Sequence, residues 1–488
     1  MSKAVRLLEC RAGLRNVRTR MPFRFGVVTI EASPLLTLAA DIELADGRRA
    51  TGYAADFLAF RWFDKRPEKS LADNCADLLA AVQCAEALYR DAASEGYRAP
   101  FKLWHETHGE VERWALANDF NRLGASFGSS MLERAVIDGL GRALGKSLFQ
   151  MVVDNDLGID LDALSPELSG LGLRKILPDN PLQRVAARHT VGLADPITSA
   201  DVEPRETVDD GLPETLEDYL AEDGIRYLKI KVSGDLDQDL ERLGRIADLL
   251  YRDDRRFGIS LDGNEQYREI ERFSTLIVRL SEEPALKPLY RDILFIEQPL
   301  ERGVALDPAI APELKRLSAI KPVIIDEADG WVSAFKEAVA LGYRGTSHKN
   351  CKGVYKSLHN LAWAKSHNLR LGCDELFMSA EDLSNLPVVA LQADLATVAM
   401  LGIGHVERNG HHYFRGLGHL SEPEKQAALD QHPDLYERRG DEVFLRIDEG
   451  ELACASIQTP GMGFSALPDI EAMISLDDWA FESLGQSG

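Results

Sequence analysis

Residues 227–264 read YLKIKVSGDLDQDLERLGRIADLLYRDDRRFGISLDGN, and this stretch decides the predicted fold. Its first six residues alternate between apolar and polar positions, which predicts a strand that carries Lys229 and Lys231 on one face. Residues 235–251 have apolar side chains at helical spacing, and residues 257–261 predict a second strand. A strand, a helix and a second strand within about 30 residues are typical of a parallel sheet.

The same alternation continues after this unit. Further strands are predicted at residues 293–296, 322–325, 346–350, 369–372 and 403–406. Further helices are predicted at residues 268–280, 331–341, 355–367 and 381–401. This order favours an α/β fold of the (β/α)-barrel type. The alternative is an open, doubly wound sheet, which is disfavoured because no glycine-rich phosphate turn follows an early strand.

The chain before residue 185 has a different pattern and predicts an α+β domain. Residues 35–44 predict a strand that enters a turn at residues 45–47. Helices are predicted at residues 70–93 and 129–144, the second ending at Gly145. We therefore divide the chain into three parts: an N-terminal α+β capping domain at 1–180, the barrel at 185–435, and a C-terminal segment at 440–488 that returns to the capping domain.

Composition narrows the class of protein. The chain has 488 residues, 45% of them hydrophobic, and a formal net charge of -23, which disfavours nucleic acid or an anionic membrane as a partner. Six scattered cysteines without a CxxC pair indicate a reducing compartment. Residues 1–15 lack the apolar run of a signal peptide, and no stretch reaches the roughly 20 apolar residues of a membrane span. We therefore expect a cytoplasmic protein.

Polar residues recur where the predicted strands end. Since the carboxyl ends of barrel strands meet at one mouth, we expect these side chains to lie close together. They are Lys229, Lys231, Asp262, Asn264, Glu297, Asp326, Lys349 and Glu407.

This mixture of carboxylates and lysines predicts metal-assisted proton transfer. Asp262, Glu297 and Asp326 offer hard oxygen ligands, which favour Mg²⁺ or Mn²⁺. A cation held there can bind a substrate carboxylate and stabilise the negative charge left after loss of an α-proton. Lys231 and Lys349 come from opposite sides of the ring, and a lysine beside a metal ion and another lysine is expected to have a lowered pKa, which suits a general base.

Several segments resemble the enolase superfamily, on its mandelate-racemase and muconate-lactonising side. They are Lys229-Ile-Lys231, Asp262-Gly-Asn264, Ile296-Glu-Gln-Pro299, Asp326-Glu327, Lys349-Asn-Cys-Lys352-Gly353, the helix over residues 129–148 and Pro460-Gly-Met-Gly463. The resemblance covers most of the chain. It implies a modified (β/α)-barrel with an α+β N-terminal capping domain and the site between them.

The resemblance also implies roles for individual residues. Asp262, Glu297 and Asp326 would bind the metal ion, Lys231 and Lys349 would act as acid and base, and Lys229 would support the carboxylate end. The sequence departs from the family pattern at Lys352-Gly353, where two glycines are common, so the choice between Lys349 and Lys352 stays open. No His–Asp pair of the kind that acid-sugar dehydratases use is evident, and residues 407–412 match no known specificity.

Other residues are weaker candidates. Glu327 is an alternative third ligand, although it should point away from Asp326 in an extended chain. Asn264 and Glu407 are expected to contact substrate, with a structural salt bridge as the alternative for Glu407. Candidates for substrate contact from outside the strand ends are His411 and, in a segment at residues 22–26 that resembles the family's mobile loop, Phe23 and Arg24. His189 and His412 could be assigned no role.

The predicted activity is isomerisation of a small carboxylate through a metal-stabilised enolate, as in racemisation, epimerisation or cycloisomerisation. The alternative is a lyase that eliminates water or ammonia from the same enolate. A non-catalytic barrel that binds a metal or a metabolite is a third possibility, disfavoured because a binding site gains little from two facing lysines. A homo-oligomer is expected, since such barrels commonly form one.

Overall fold

The computed structural model describes residues 3–25, 28–202, 208, 210–253 and 255–485. The two ends of the chain form an antiparallel sheet, and the middle forms a ring of parallel strands. The change of pattern near residue 185 therefore coincides with the start of parallel pairing.

The antiparallel sheet has its strands in the order β15-β1-β2-β3 along the sheet. They are β1 (Val5–Phe25), β2 (Val28–Leu44), β3 (Arg49–Phe57) and β15 (Ile474–Ser475). Helices pack against the sheet and one another: α1 (Leu71–Ser94), α2 (Pro100–Ala117), α3 (Arg122–Leu144) and α4 (Leu148–Val153). Helix α3 ends at Gly145, which adopts φ +66°, as the glycine predicts, but begins seven residues before the predicted start.

Eight parallel strands form the ring, each followed by at least one helix. The strands are β4 (Arg184–Val191), β5 (Tyr227–Lys231), β6 (Gly258–Asp262), β7 (Ile293–Glu297), β8 (Val323–Ile325), β9 (Gly345–His348), β10 (Phe377–Ala380) and β11 (His405–Arg408). The helices are α5 (Leu216–Glu222), α6 (Leu236–Leu250), α7 (Ile270–Glu282), α8 (Lys287–Asp292), α9 (Ala311–Ile320), α10 (Ala334–Leu341), α11 (Val354–Leu371), α12 (Val389–Leu401), α13 (Gly410–Tyr413) and α14 (Glu422–Gln431).

The strands pair in chain order from β4 to β10, and β11 pairs with β4 on the other side. Strands β10 and β11 lie beside each other, and hydrogen bonds near their carboxyl ends join the two segments. The amide of Asp382 donates to Glu407 Oε2 at 3.0 Å, and the amide of Asn409 donates to Asp382 Oδ2 at 3.1 Å. The predicted barrel is therefore confirmed, and the open sheet is excluded.

One predicted strand is wrong. Residues 369–372 are the last turn of α11 and its cap, and the seventh barrel strand is β10, five residues further on. Leu369 and Leu371 are strongly exposed, so their alternation with Arg370 reflects the end of a helix and not a half-buried strand. The helix predicted from Glu381 begins only at Val389, and Glu381 lies at the end of β10.

The chain after the barrel contacts both sheets. Strands β12 (Tyr436–Arg439) and β13 (Glu442–Leu445) form a hairpin, and β14 (Glu451–Ala453) pairs antiparallel with β4. The amide of Met462 then donates to Asp138 Oδ1 on α3 at 2.7 Å. In the described part of the chain, every helix is too short or too polar to cross a bilayer.

We predict that Gly52→Ala lowers the thermal midpoint of unfolding. A Cβ at Gly52 would lie 2.0 Å from the carbonyl oxygen of Ala135, because β3 packs backbone to backbone against α3. Overpacking of this kind costs about 1–3 kcal/mol or more. Differential scanning calorimetry measures the shift. The matched control is Gly244→Ala in α6, where a Cβ meets no atom within 4 Å and alanine should raise the midpoint slightly. Equal midpoints for Gly52→Ala and wild type would contradict the prediction.

Candidate functional site

A cavity of about 610 Å³, partly open to solvent, lies where the carboxyl ends of the barrel strands face the antiparallel sheet. Its polar lining includes Lys229, Lys231, Asn264, Asp326, Lys349, Asp382, Ser384, Glu407 and Asn409. Its apolar lining includes Phe23, Ile30, Phe57, Ala59, Trp62 and Phe414. The cavity thus combines ionisable groups from the barrel with an apolar cover, which comes mostly from the first part of the chain.

Sheet register places three predicted residues in one layer. Lys231 on β5 lies opposite Asp262 on β6, and Asp262 lies opposite Glu297 on β7. Asp326 directly follows β8, the next strand. Asp262 and Glu297 therefore lie side by side at the ends of neighbouring strands, and Asp326 follows the next strand, two residues beyond Ile324, the register partner of Glu297.

The ammonium group of Lys229 contacts four carboxylates. Its Nζ lies 3.0 Å from Asp262 Oδ2, 2.7 Å from Glu297 Oε2, 3.0 Å from Glu381 Oε2 and 2.9 Å from Glu407 Oε2. All five side chains are almost fully buried. Since an isolated charge is costly to bury, each of these groups depends on the others for its ionised form.

Three further lysines bind proposed metal ligands: Lys231 binds Asp262, and Lys349 and Lys352 bind Asp326. Lys231 Nζ donates to Asp262 Oδ2 at 2.5 Å. Lys349 Nζ lies 2.9 Å from Asp326 Oδ2, and Lys352 Nζ lies 2.9 Å from Asp326 Oδ1. Lys349 lines the cavity, whereas Lys352 lines a second cavity beside α2 and α3. This placement favours Lys349 over Lys352 as the group that meets a substrate.

Burial and ion pairing act on the pKa values of this cluster in opposite directions. Burial and the negative charge of Asp262 raise the pKa of Glu297 well above its usual value. Burial alone would raise the pKa of Asp326 too, but the ammonium groups of Lys349 and Lys352 hold it well below its usual value. Burial lowers the pKa of Lys349, but the negative charges of Asp326, Glu297 and Glu407 together outweigh burial, and the net shift is upward. This direction is opposite to the lowering expected of a lysine beside a metal ion.

The residue types of the site suit a hard divalent cation. Asp262, Glu297 and Asp326 are buried carboxylates on neighbouring strands, and Glu297 Oε2 receives no hydrogen bond of good geometry. Among the described residues, however, no three carboxylate, imidazole or thiolate groups converge closely enough to hold an ion. The ammonium of Lys229 lies within 3.0 Å of both Asp262 and Glu297. The donor set therefore fits the ion, provided that side chains of this cluster shift.

Glu327, the alternative third ligand, contacts a different set of residues. Its Oε1 is 3.7 Å from Lys65 Nζ, and burial together with the charge of Glu265 raises its pKa to about 7. Lys65 also binds Glu265, whose carboxylate accepts hydrogen bonds from Arg302. Asp326 contacts Lys349, which lines the cavity, whereas Glu327 lies near Lys65, and this favours Asp326 over Glu327 as the ligand.

These ion pairs hold a loop of the first part of the chain over the barrel. Arg302 donates to the carbonyl oxygens of Trp62 and Phe63 at 2.8 Å each. The ring of Trp62 then lies with its centroid 4.6 Å from Lys349 Nζ, a cation–π contact. The loop therefore supplies an aromatic wall directly beside one of the two predicted bases.

The predicted substrate contacts divide into two groups. Asn264, Glu407 and Phe23 line the cavity. Arg24 is exposed and lies in β1, as does Phe23, so the predicted loop is strand up to Phe25, and Gly26 lies outside the described residues. His411 lines a different cavity and its Nε2 is 3.0 Å from His189 Nδ1. The described lining thus includes neither Arg24 nor His411.

Glu381 and Arg188 belong to the charged cluster of the site but were not predicted from the sequence. Glu381 binds Lys229 and accepts a hydrogen bond from Arg188 at 2.6 Å, and neither side chain is accessible to solvent. Glu381 directly follows β10, much as Asp262 and Glu297 are the last residues of β6 and β7. A correct prediction of β10 would therefore have identified Glu381 as a site residue. Arg188 directly follows three apolar residues of β4, at 185–187, and a charge inside a buried strand was the available signal.

The structure contains His–Asp pairs that the sequence did not reveal. His348 Nε2 lies 3.2 Å from Asp394 Oδ1, and His412 Nε2 lies 3.3 Å from Asp195 Oδ2. None of these four residues is in the described lining of the cavity.

No protein-family model matches this chain, and no curated protein matches it. Solved structures do resemble it. A mandelate racemase/muconate lactonizing protein from Herpetosiphon aurantiacus is 16% identical, with a TM-score of 0.60 over 95% of this chain and 99% of that one. A dipeptide epimerase from Enterococcus faecalis, solved with Mg and the dipeptide L-Leu-L-Tyr, is 14% identical, with a TM-score of 0.60 over 94% and 99%.

A muconate lactonizing enzyme from Pseudomonas fluorescens, solved with muconolactone, is also similar. It is 15% identical, with a TM-score of 0.56 over 95% of this chain and 97% of that one. The chain therefore has the fold of the mandelate-racemase and muconate-lactonising proteins over nearly its whole length, as the resemblance of its motifs predicts. At these identities the likeness is one of fold.

Glu133 on α3 supports the turn that carries Lys349. Its Oε1 accepts a hydrogen bond from the amide of Tyr355 at 2.7 Å. Gly353 adopts φ +92°, and a Cβ there would lie 2.4 Å from Glu133 Oε2. Gly353 is therefore needed for both its conformation and its space. Burial raises the pKa of Glu133 to about 8.

We predict that Glu133 makes the protein less stable as the pH rises from about 4.5 to about 8. Over this range the unfolded chain loses the glutamate proton and the folded chain retains it, so the free energy of unfolding falls by up to about 1.4 kcal/mol per pH unit. Glu133→Gln cannot ionise and should remove this slope. Urea unfolding at pH 5, 6, 7 and 8 tests it, with exposed Glu68→Gln as control. Parallel slopes for wild type and Glu133→Gln would refute the prediction.

Proposed function

We propose that this protein is an enzyme that removes the α-proton of a small carboxylate substrate, and that it is an isomerase. One observation carries the proposal. Lys231 and Lys349 both line the same largely buried cavity. Lys231 lies on β5, the second of the eight barrel strands, and Lys349 directly follows β9, the sixth. Strands four apart in a ring of eight are on opposite sides, so the two ammonium groups approach a substrate from opposite faces.

Asp262, Glu297 and Asp326 are the residues that would hold Mg²⁺. The bound ion would supply a positive charge for the substrate carboxylate and for the negative charge that develops when the α-proton leaves. Several of the similar solved structures were determined with magnesium, which agrees with this choice.

Formal charge explains how a lysine of this site can act as a base. Five carboxylates are in contact with five cationic side chains: Asp262, Glu297, Asp326, Glu381 and Glu407 with Lys229, Lys231, Lys349, Lys352 and Arg188. Neutrality with a divalent ion and a substrate carboxylate present requires that one lysine lose its proton. The loaded site thus favours the neutral lysine that proton abstraction needs.

Lys231 and Lys349 divide the proton transfers between them. In a racemase or epimerase one lysine takes the proton from one face of the α-carbon and the other delivers a proton to the opposite face. Trp62 packs against Lys349 and restricts where its ammonium can lie. Asn264 and Glu407 are placed to bind polar groups of the substrate, and Phe23, Phe57 and Trp62 to contact an apolar part.

The site favours isomerisation over dehydration. Neither His348–Asp394 nor His412–Asp195 lines the cavity in the described structure, so the cavity offers lysines on both faces in preference to a histidine acid. The similar structures include proteins named as a racemase, a dipeptide epimerase and a muconate lactonizing enzyme.

We predict that Asp262→Asn and Glu297→Gln each abolish detectable Mg²⁺ binding and leave the fold intact. The reason is that each removes one of three proposed carboxylate ligands. Isothermal titration calorimetry with Mg²⁺ measures binding, and circular dichroism checks the fold. Asp56→Asn removes a buried carboxylate that pairs with Arg134 outside the cavity, and should retain Mg²⁺ binding. Full Mg²⁺ affinity in both ligand variants would refute the assignment.

The two lysines should show complementary exchange of the α-hydrogen with deuterated water. In Lys231→Ala and Lys349→Ala the remaining lysine can exchange only the stereoisomer whose proton faces it. Turnover should fall by at least the roughly 10²–10⁴-fold that a positioned acid or base contributes. NMR or mass spectrometry of each stereoisomer reads the exchange.

Other outcomes of this experiment point to other activities. Exchange of the same stereoisomer in both variants would contradict the facing-lysine mechanism and favour a lyase, which can eliminate from one face with one base. A folded, Mg²⁺-binding wild-type protein that exchanges no α-hydrogen in any carboxylate tested would favour a binding protein.

A further inference from the structure

We propose that Lys229 competes with the metal ion: its ammonium is a built-in cation that holds Asp262 and Glu297 in the metal-free protein and moves away from them when the ion binds. This inference rests on the proposed function, because it takes these two carboxylates as metal ligands. Lys229 is thereby a positioning residue that sets the affinity for the ion.

The ammonium group of Lys229 contacts oxygens of four carboxylates. Its three N–H groups donate to Glu297, Glu381 and Glu407 at 2.8, 3.0 and 2.9 Å. Asp262 Oδ2 is also only 3.0 Å away. The ammonium nitrogen of Lys229 thus lies within contact distance of oxygens from two of the three proposed ligands, Asp262 and Glu297.

Two cations cannot share this position. A Mg²⁺ ion takes its oxygen ligands at about 2.0–2.1 Å, so an ion bound to both Asp262 and Glu297 must lie between their oxygens. That is the region which Lys229 Nζ occupies. The presence of this ammonium agrees with the lack of any ready three-carboxylate site among the described residues.

Lys229 has a place to go. Glu381 and Glu407 are not among the proposed ligands, and both contact the same ammonium. Neither carboxylate is exposed to solvent by more than 2%. An ammonium that gives up Asp262 and Glu297 therefore keeps two buried anionic partners and does not become an unpaired buried charge. Four carboxylates around one lysine are what such an exchange requires.

The exchange predicts opposite effects of two substitutions on Mg²⁺ affinity. Lys229→Met removes the competing cation and should tighten Mg²⁺ binding, by about ten- to a hundredfold if its effect is as large as that of other groups next to metal ligands. The metal-free variant should also unfold at a lower temperature, since its carboxylates lose their counter-charge. Glu381→Gln removes a partner of the displaced ammonium, so it should weaken Mg²⁺ binding.

The experiment is calorimetric titration with Mg²⁺ alone, together with the unfolding midpoint of each protein without and with Mg²⁺. Lys356→Met is the matched control, because Lys356 is an equally buried lysine that pairs with Asp329 and not with a proposed ligand. It should lower the midpoint and leave the Mg²⁺ dissociation constant unchanged. In the Lys229→Met background, Glu381→Gln should lose its effect on that constant, since the two act through one contact.

The outcomes separate the inference from the proposed function. If folded wild-type protein binds no Mg²⁺, both fail. If wild type binds Mg²⁺ but Lys229→Met binds it equally or more weakly, Lys229 only supports the fold of the site and this inference alone fails. If Lys229→Met does not fold, Glu381→Gln decides: weaker binding supports the exchange, and unchanged or tighter binding overturns it.

Discussion

The site depends on one physical constraint: several carboxylates are buried together, and they can remain so only if cations lie among them. Asp262 and Glu297 are register partners at the ends of β6 and β7, and Asp326 directly follows β8, the next strand, so the barrel brings the three carboxylates to one mouth. Their mutual repulsion is relieved by Lys229, Lys231, Lys349 and Lys352, which come from strands on either side and across the ring. The barrel thus buries opposite charges from distant parts of the chain next to one another.

The first part of the chain completes this environment. The loop that carries Trp62 is held by Arg302 and by the Lys65–Glu265 pair, so an aromatic ring lies beside Lys349. Such a cover limits the contact of the cavity with water, and electrostatic interactions are stronger where fewer water molecules surround the charges. The barrel determines which charged groups lie in the cavity, and the cover determines how strongly these groups interact with one another.

Much of this arrangement could be predicted from the sequence, because the barrel repeats one local rule. An apolar strand followed by an ionisable residue identified Asp262, Glu297, Asp326 and the lysines of residues 229–231 without any knowledge of their partners. The rule failed at residues 369–372, where the exposed end of a helix alternates like a strand. That error displaced β10 and hid Glu381, whose position after the true strand obeys the same rule.

Other features could not be predicted, because they depend on distances across the ring. Nothing local indicates that Lys229 contacts four carboxylates, or that His411 faces a different cavity from Glu407 only four residues before it. Arg188 is similar, because its partners come from two other segments of the barrel: Ser260 from β6, and Ser379 and Glu381 from β10 and the residue that follows it. Sequence patterns reveal which element a residue belongs to, whereas partner choice is a property of the closed barrel.

Fold and chemistry are therefore constrained separately in this chain. Solved structures with 14–16% identity share its architecture over nearly the full length, so most positions can differ while the fold persists. The charged groups at the strand ends are constrained as a set, because removing one leaves its partners buried and unpaired. The apolar cover carries no such constraint, since Phe23, Phe57 and Trp62 contribute shape and not charge. If the protein has the proposed function, differences among substrates are therefore expected to arise first in the cover and last in the charged ring.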